Sequence, residues 1–174
     1  MRIAYTMSLR RGDMDRLLVG VADALAARGV RCCGVVQINS PDCDTRTCDM
    51  DVQVLPDGPR IRISQSLGLE ARGCRLDVGA LETAVGECER RLDPQADVLI
   101  VNKFGKREAE GGGFRDLIAE ALSLDIPVIV GVNGLNEVAF QEFSAGTAVS
   151  LPPDAGEVLD WVLAATDARL GETA

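Results

Sequence analysis

Two apolar runs that never alternate, residues 97–102 (DVLIVN) and 127–132 (PVIVGV), limit the fold more than any other feature of this chain. A strand with one face in water alternates apolar and polar side chains. A strand apolar at every position is covered on both faces, the condition of a central strand in a parallel sheet. Between the two runs, residues 114–124 repeat their apolar positions at helical spacing. The amino-terminal segment has the same plan. Residues 2–7 and 30–37 read as strands, and between them Leu17, Val21, Ala24 and Leu25 fall on one helical face. Asp13 or Ser8 is the expected N-cap of that helix, and Gly29 suits a left-handed stop. Parallel strands joined by a helix imply a right-handed crossover. A short helix at 136–143, a strand at 148–151 and a helix at 155–165 complete the alternation. The expectation is a single α/β domain over residues 1–174, a three-layer, doubly wound and mainly parallel sheet.

Residues 39–76 depart from this plan. VQVL and RIRIS alternate on either side of Pro-Asp-Gly, so residues 51–64 read as an antiparallel β-hairpin inserted into the parallel fold. A helix capped by Asp77 follows, to about residue 92.

The formal net charge of −9 argues against a nucleic-acid partner, because binding polyphosphate requires surplus Lys and Arg. The chain has no histidine, which removes Ser-His-Asp and Cys-His chemistry and His-based metal sites. No stretch reaches the ~20 apolar residues of a membrane span, and no signal peptide is legible, so a cytoplasmic location with reduced thiols is expected. Among the 6 cysteines, Cys32, Cys33 and Cys88 read as small buried hydrophobes. Cys48 and Cys74 flank the hairpin; they read equally as buried residues or as a thiol or metal pair, although the spacing is not that of a zinc site.

Ligands of doubly wound sheets sit at the carboxyl ends of the strands. Three connections qualify: 8–13, 103–113 and 133–136. A working phosphate loop reads GxxxxGK[ST], its backbone N–H groups and lysine holding phosphate. Here TMSLRRGDMD keeps Gly12, but Asp13 or Met14 stands where the lysine belongs and no Ser or Thr follows. Ser8, Arg10 and Arg11 remain as anion donors. The second connection, in DVLIVNKFGKREAEGGGFR, resembles the acidic motif of the small P-loop nucleoside-triphosphatases. In that resemblance Asn102 falls on the Asp that holds Mg²⁺ through water and Lys103 on the Glu that polarises the attacking water. Gly105, Lys106, Glu108 and Phe114 match the rest. Both departures remove negative charge where hydrolysis requires it. Lys103 and Lys106 are also the only lysines in the chain.

The phrases RTCDMDVQVLPDG, RISQSLG, RGCRLD, VNKFGKREAEGGGFR and PVIVGVNGLN closely resemble a bacterial family of unknown function, often encoded beside molybdate-uptake genes. That resemblance implies a P-loop NTPase-like fold and a link to molybdenum handling.

The reading that follows is a non-hydrolysing anion- or nucleotide-binding protein. Its ligand would be a nucleotide, phosphate or molybdate, held by Ser8, Arg10, Arg11, Gly12, Asn102, Lys103, Gly105, Lys106 and Glu108, with Arg62 and Arg75 closing a lid. Expected partners are a small anionic ligand, and a second copy or a molybdenum-pathway protein. Two alternatives stay open. One is an active triphosphatase or phosphotransferase with Glu108 or Asp13 as base and Lys103 or Lys106 as clamp. The other is a structural, partner-binding subunit.

Overall fold

The computed structural model describes residues 2–8, 10, 12–39, 49–65 and 75–172. Arg11, Cys48 and Cys74, expected at a ligand or thiol site, lie outside these residues.

Seven strands form one sheet: β1 (Ile3–Thr6), β2 (Cys32–Asn39), β3 (Met50–Leu55), β4 (Arg60–Arg62), β5 (Val98–Phe104), β6 (Val128–Val132) and β7 (Val149–Leu151), in the order β4-β3-β2-β5-β6-β1-β7. Strands β2, β5, β6, β1 and β7 run parallel. The two strands read as fully covered, β5 and β6, are adjacent at the centre, with Leu99 opposite Val128 and Val101 opposite Val130. The expected hairpin is present as β3 and β4, antiparallel to each other, with β3 antiparallel to β2. It extends the sheet edge in plane.

Helices cover both faces. On one lie α1 (Asp13–Ala26) and α6 (Ala155–Glu172), over a core that includes Ala4, Leu18, Leu25, Ile100 and Ile129. On the other lie α2 (Val78–Glu89), α4 (Arg115–Ser123) and α5 (Glu137–Phe143), over Val101, Phe104, Leu117 and Phe140. The Asp77 side chain caps α2 by accepting the Ala80 amide at 3.0 Å. Two local expectations need correction. Gly12, in a left-handed conformation (φ 80°), is the N-cap of α1, and no side chain caps it. The connection after β5 is not all loop, because α3 (Lys106–Ala109) forms within it. No helix among the described residues is long and apolar enough to cross a membrane.

Gly34 in β2 is required by close approach. Its φ is +102°, and a Cβ there would stand 2.0 Å from the Ile100 carbonyl oxygen. Gly34→Ala is expected to destabilise the fold by about 2–3 kcal/mol or more. For a chain of this size that lowers Tm by roughly 4–12 °C. Gly20→Ala, on the exposed face of α1 with nothing within 4 Å, should instead stabilise by about 0.4–1 kcal/mol. Thermal melts of the two variants check both signs.

Candidate functional site

The ends of β1, β6 and β5 carry a short polar row. Ala4, Ile129 and Ile100 pack toward α1, and side chains two residues further along a strand return to the same face. Thr6, Gly131 and Asn102 therefore point toward α1, in register on three adjacent strands. Above them the first turns of α1 bring down Met14 and Asp15. Asn102 donates Nδ2–H to Asp15 Oδ1 at 2.9 Å, and Gln37 reaches the other carboxylate oxygen at 3.5 Å. Asp15 is 6% exposed and Asn102 2%. This bond ties the start of α1 to the tip of β5, so the first and second loops share one end of the molecule.

Met14 fills the space over Gly131. A Cβ on Gly131 would lie 2.8 Å from Met14 Sδ, 3.0 Å from Leu18 Cδ1 and 3.2 Å from Asn102 Oδ1. The Asn102 Oδ1 and Thr6 Oγ1 atoms are buried with no hydrogen-bond partner among the described residues, and the thioether stands over the strand between them.

At the tip of β5, Asn102 pairs with Gly131 and Phe104 with Val132. Two steps along β5 match one along β6, so Lys103 is the extra residue of a bulge. Without the bulge, alternation would send Lys103 into the core beside Val101 and turn Phe104 toward α1. With it, Phe104 joins Val101 on the far face and packs edge-on to Phe140, with ring centroids 5.2 Å apart. Lys103 is left half-buried at the strand tip, and among the described residues no carboxylate pairs with it. Bulges of this kind re-aim side chains beside functional sites.

Glu108 organises the loop that follows. Its Oε2 accepts the Gly105 amide at 2.9 Å and its Oε1 the Phe114 amide at 3.2 Å. The side chain is 3% exposed, and burial pushes its carboxyl above the ordinary glutamate range despite these donors. A Cβ on Gly113 would lie 2.0 Å from Oε1, which accounts for glycine there. With both oxygens engaged by backbone, Glu108 acts as the buckle of the 105–114 segment. Lys106 is exposed and pairs with Glu110 at 3.6 Å.

The first loop is open. The Ser8 hydroxyl accepts the Arg10 amide at 3.3 Å, and Arg10 is exposed. Asp13 is bound by Arg16 one turn further along α1. Ser8, Asp13, Arg16 and Leu17, with Pro153 from the turn before α6, line a cavity of about 400 Å³. At the hairpin, Arg62 pairs with Asp51 at 3.1 Å and Asp49 at 3.0 Å, and Arg75 lies 3.7 Å from Asp49. Because β3 pairs with β2 by main-chain bonds, these arginines sit at the sheet edge, beyond both β2 and β3, with carboxylates already beside them. Cys32, Cys33 and Cys88 are buried, and burial raises their thiols to about 12, 11 and 12.

A model of the family described as "Protein of unknown function (DUF2478)" matches residues 3–161. The chain belongs to this family. It is also 33% identical over 150 residues to the "Molybdenum import ATP-binding protein ModC 2" of Bradyrhizobium diazoefficiens; the match covers 86% of this chain and 17% of that protein. In fold it matches the solution structure of a human cancer-related nucleoside triphosphatase, with a TM-score of 0.62 at 19% identity, over 87% of this chain and 88% of that one.

The P-loop fold lets the pattern GxxxxGK[ST] be counted back from Gly12. In this DUF2478 chain Met7 takes the place of the first glycine, Asp13 that of the lysine and Met14 that of the hydroxyl. Mg²⁺ requires hard oxygen ligands, carboxylates among them. Here Met14 brings a soft thioether and Asn102 a neutral carboxamide already bonded to Asp15, so these two positions offer the ion no charged oxygen. Sequence reasoning missed Asp15. The signal was available: Asp15 shares the spacing of Leu18, Ala22 and Leu25, the buried stripe of α1, and an acid on an apolar stripe needs a partner.

Glu108→Gln leaves one backbone amide facing an NH2 group and should cost about 1–3 kcal/mol. Because the folded carboxyl titrates above the unfolded one, the native state holds more protons from pH 4.5 upward through the raised value. Across that window the wild type loses stability as pH rises. Its advantage over Glu108→Gln should therefore narrow from acid toward neutral pH in urea melts; a gap that widens counts against this.

Proposed function

We propose that this chain binds a nucleotide or a small tetrahedral oxyanion at the carboxyl edge of its sheet without hydrolysing it, and that it serves molybdenum handling in this way. The observation that carries the reading is the replacement of the magnesium-holding positions by Met14, packed over Gly131, and Asn102, bonded to Asp15. Phosphoryl transfer in P-loop enzymes depends on the metal and on charges that stabilise the transferred group, a single arginine contributing ~10³-fold or more. With Lys103 where a water-polarising carboxylate would stand, and Glu108 held by two backbone amides, this edge has lost those parts. It keeps donors suited to an anion: Lys103 at the tip of β5, and Ser8, Arg10 and Gly12 in the first loop. The molybdenum assignment draws on the relative named as a molybdenum import ATP-binding protein, with molybdate as one candidate ligand.

Calorimetric titration with ATP, GTP, phosphate and molybdate, run beside a phosphate-release assay with Mg²⁺, tests the reading. Saturable binding of at least one of these anions is expected, with release no faster than in buffer. Absence of binding to all four overturns the reading. So does release that scales with protein concentration and is abolished by EDTA.

A further inference from the structure

The exchange of charge between α1 and β5 has a consequence for how an anion would be held. P-loops place a lysine at the start of α1, where it reaches the outer phosphates. Here that position is Asp13, engaged by Arg16. The lysine is instead at the tip of β5, on a bulge that keeps it out of the core. Residue 13 lies two positions before Asp15, and residue 103 directly follows Asn102. Asp15 and Asn102 are joined by a bond of 2.9 Å. The two positions thus flank one hydrogen bond, residue 13 on the helix side and residue 103 on the strand side.

We propose that Lys103 is the anion clamp of this site, supplying from β5 the positive charge that a P-loop supplies from α1, and that it holds a terminal phosphate or tetrahedral dianion without a divalent metal. The inference rests on the reading of this edge as an anion site and adds the residue, the ligand class and the metal independence. Three observations converge on it. Lys103 is half-buried with no carboxylate pairing among the described residues, whereas Lys106 pairs with Glu110. The bulge isolates Lys103 alone from the ladder. Met14 and Asn102 present no charged hard ligand to a metal, so a cation fixed in the chain takes over its electrostatic part. An ammonium is suited to this, being a compact point charge with three donors on a flexible stem.

The test is a complementation series with ATP and with molybdate as probes, each measured by calorimetry in Mg²⁺ and in EDTA. The wild type should bind at least one probe with affinity equal within about twofold in the two buffers. Lys103→Met should lose about tenfold or more, and Lys103→Arg should keep most of the affinity. In the Lys103→Met background, Asp13→Lys should restore binding, because a lysine returned to α1 addresses the same ligand. The Asp13–Arg16 pair removed by that change is exposed and worth little to the fold, and far-UV melts check that all variants remain folded. A preference for ATP or for molybdate distinguishes a nucleotide from a free oxyanion. Unchanged affinity in Lys103→Met overturns the clamp while leaving the anion-binding reading intact. Loss of wild-type binding in EDTA overturns metal independence. Failure of Asp13→Lys to restore binding overturns the shared position. If the wild type binds neither probe in either buffer, the clamp falls; the reading itself falls only if GTP and phosphate also fail to bind.

Discussion

Gly131 leaves the tip of a central strand without a side chain, and α1 settles into the space. Met14 and Leu18 occupy the position a Cβ would need, and beside them Asp15 meets the Asn102 amide. A methyl group at residue 131 would press on the ends of the Met14 and Leu18 side chains and on the Asn102 carboxamide oxygen. A buried carboxylate is tolerated only with donors close by, so the Asp15–Asn102 bond and the bare backbone of Gly131 form one requirement: the helix must come close for the acid to be satisfied.

The same contact accounts for the altered chemistry of the edge. A P-loop sets a lysine on the helix against carboxylates on the strand. This chain sets carboxylates on the helix, Asp13 and Asp15, against an amide and a lysine on the strand, Asn102 and Lys103. The helix is seated by the bond of Asp15 to the Asn102 amide, while Asp13 is engaged by Arg16 on its own helix. In the loop beyond β5, Glu108 binds the two ends through the amides of Gly105 and Phe114, and Gly113 makes room for the carboxylate.

The hairpin answers a different problem. An exposed sheet edge invites further pairing. Here β4 is three residues long, and its arginines turn onto Asp51 and Asp49. From the sequence those arginines read either as a solvated strand face or as a positive lid. Only the pairing of β3 with β2 decides that they end at the sheet edge next to carboxylates.

Local patterning by itself determined the strands of the parallel core, most of the helices and the hairpin, because covered strands, helical stripes and a Pro-Asp-Gly turn are written in neighbouring residues. It also indicated which loops fall at the carboxyl edge, and the resemblance to P-loop nucleoside-triphosphatases set Asn102 and Lys103 on acidic positions there. It did not determine that Gly12 rather than a side chain caps α1, that Lys103 is a bulged residue, that Glu108 is held by backbone amides, or that Asp15 lies against Asn102. The bulge and the Asp15–Asn102 bond depend on contact between segments distant in sequence, residues 15 and 102 being 87 positions apart, and the Glu108 amides and the Gly12 cap on the backbone path taken within each loop. The tertiary structure decided them, because the position of a buried polar group is set by the partner that satisfies it, and that partner is chosen only when the helix and the strand are packed together.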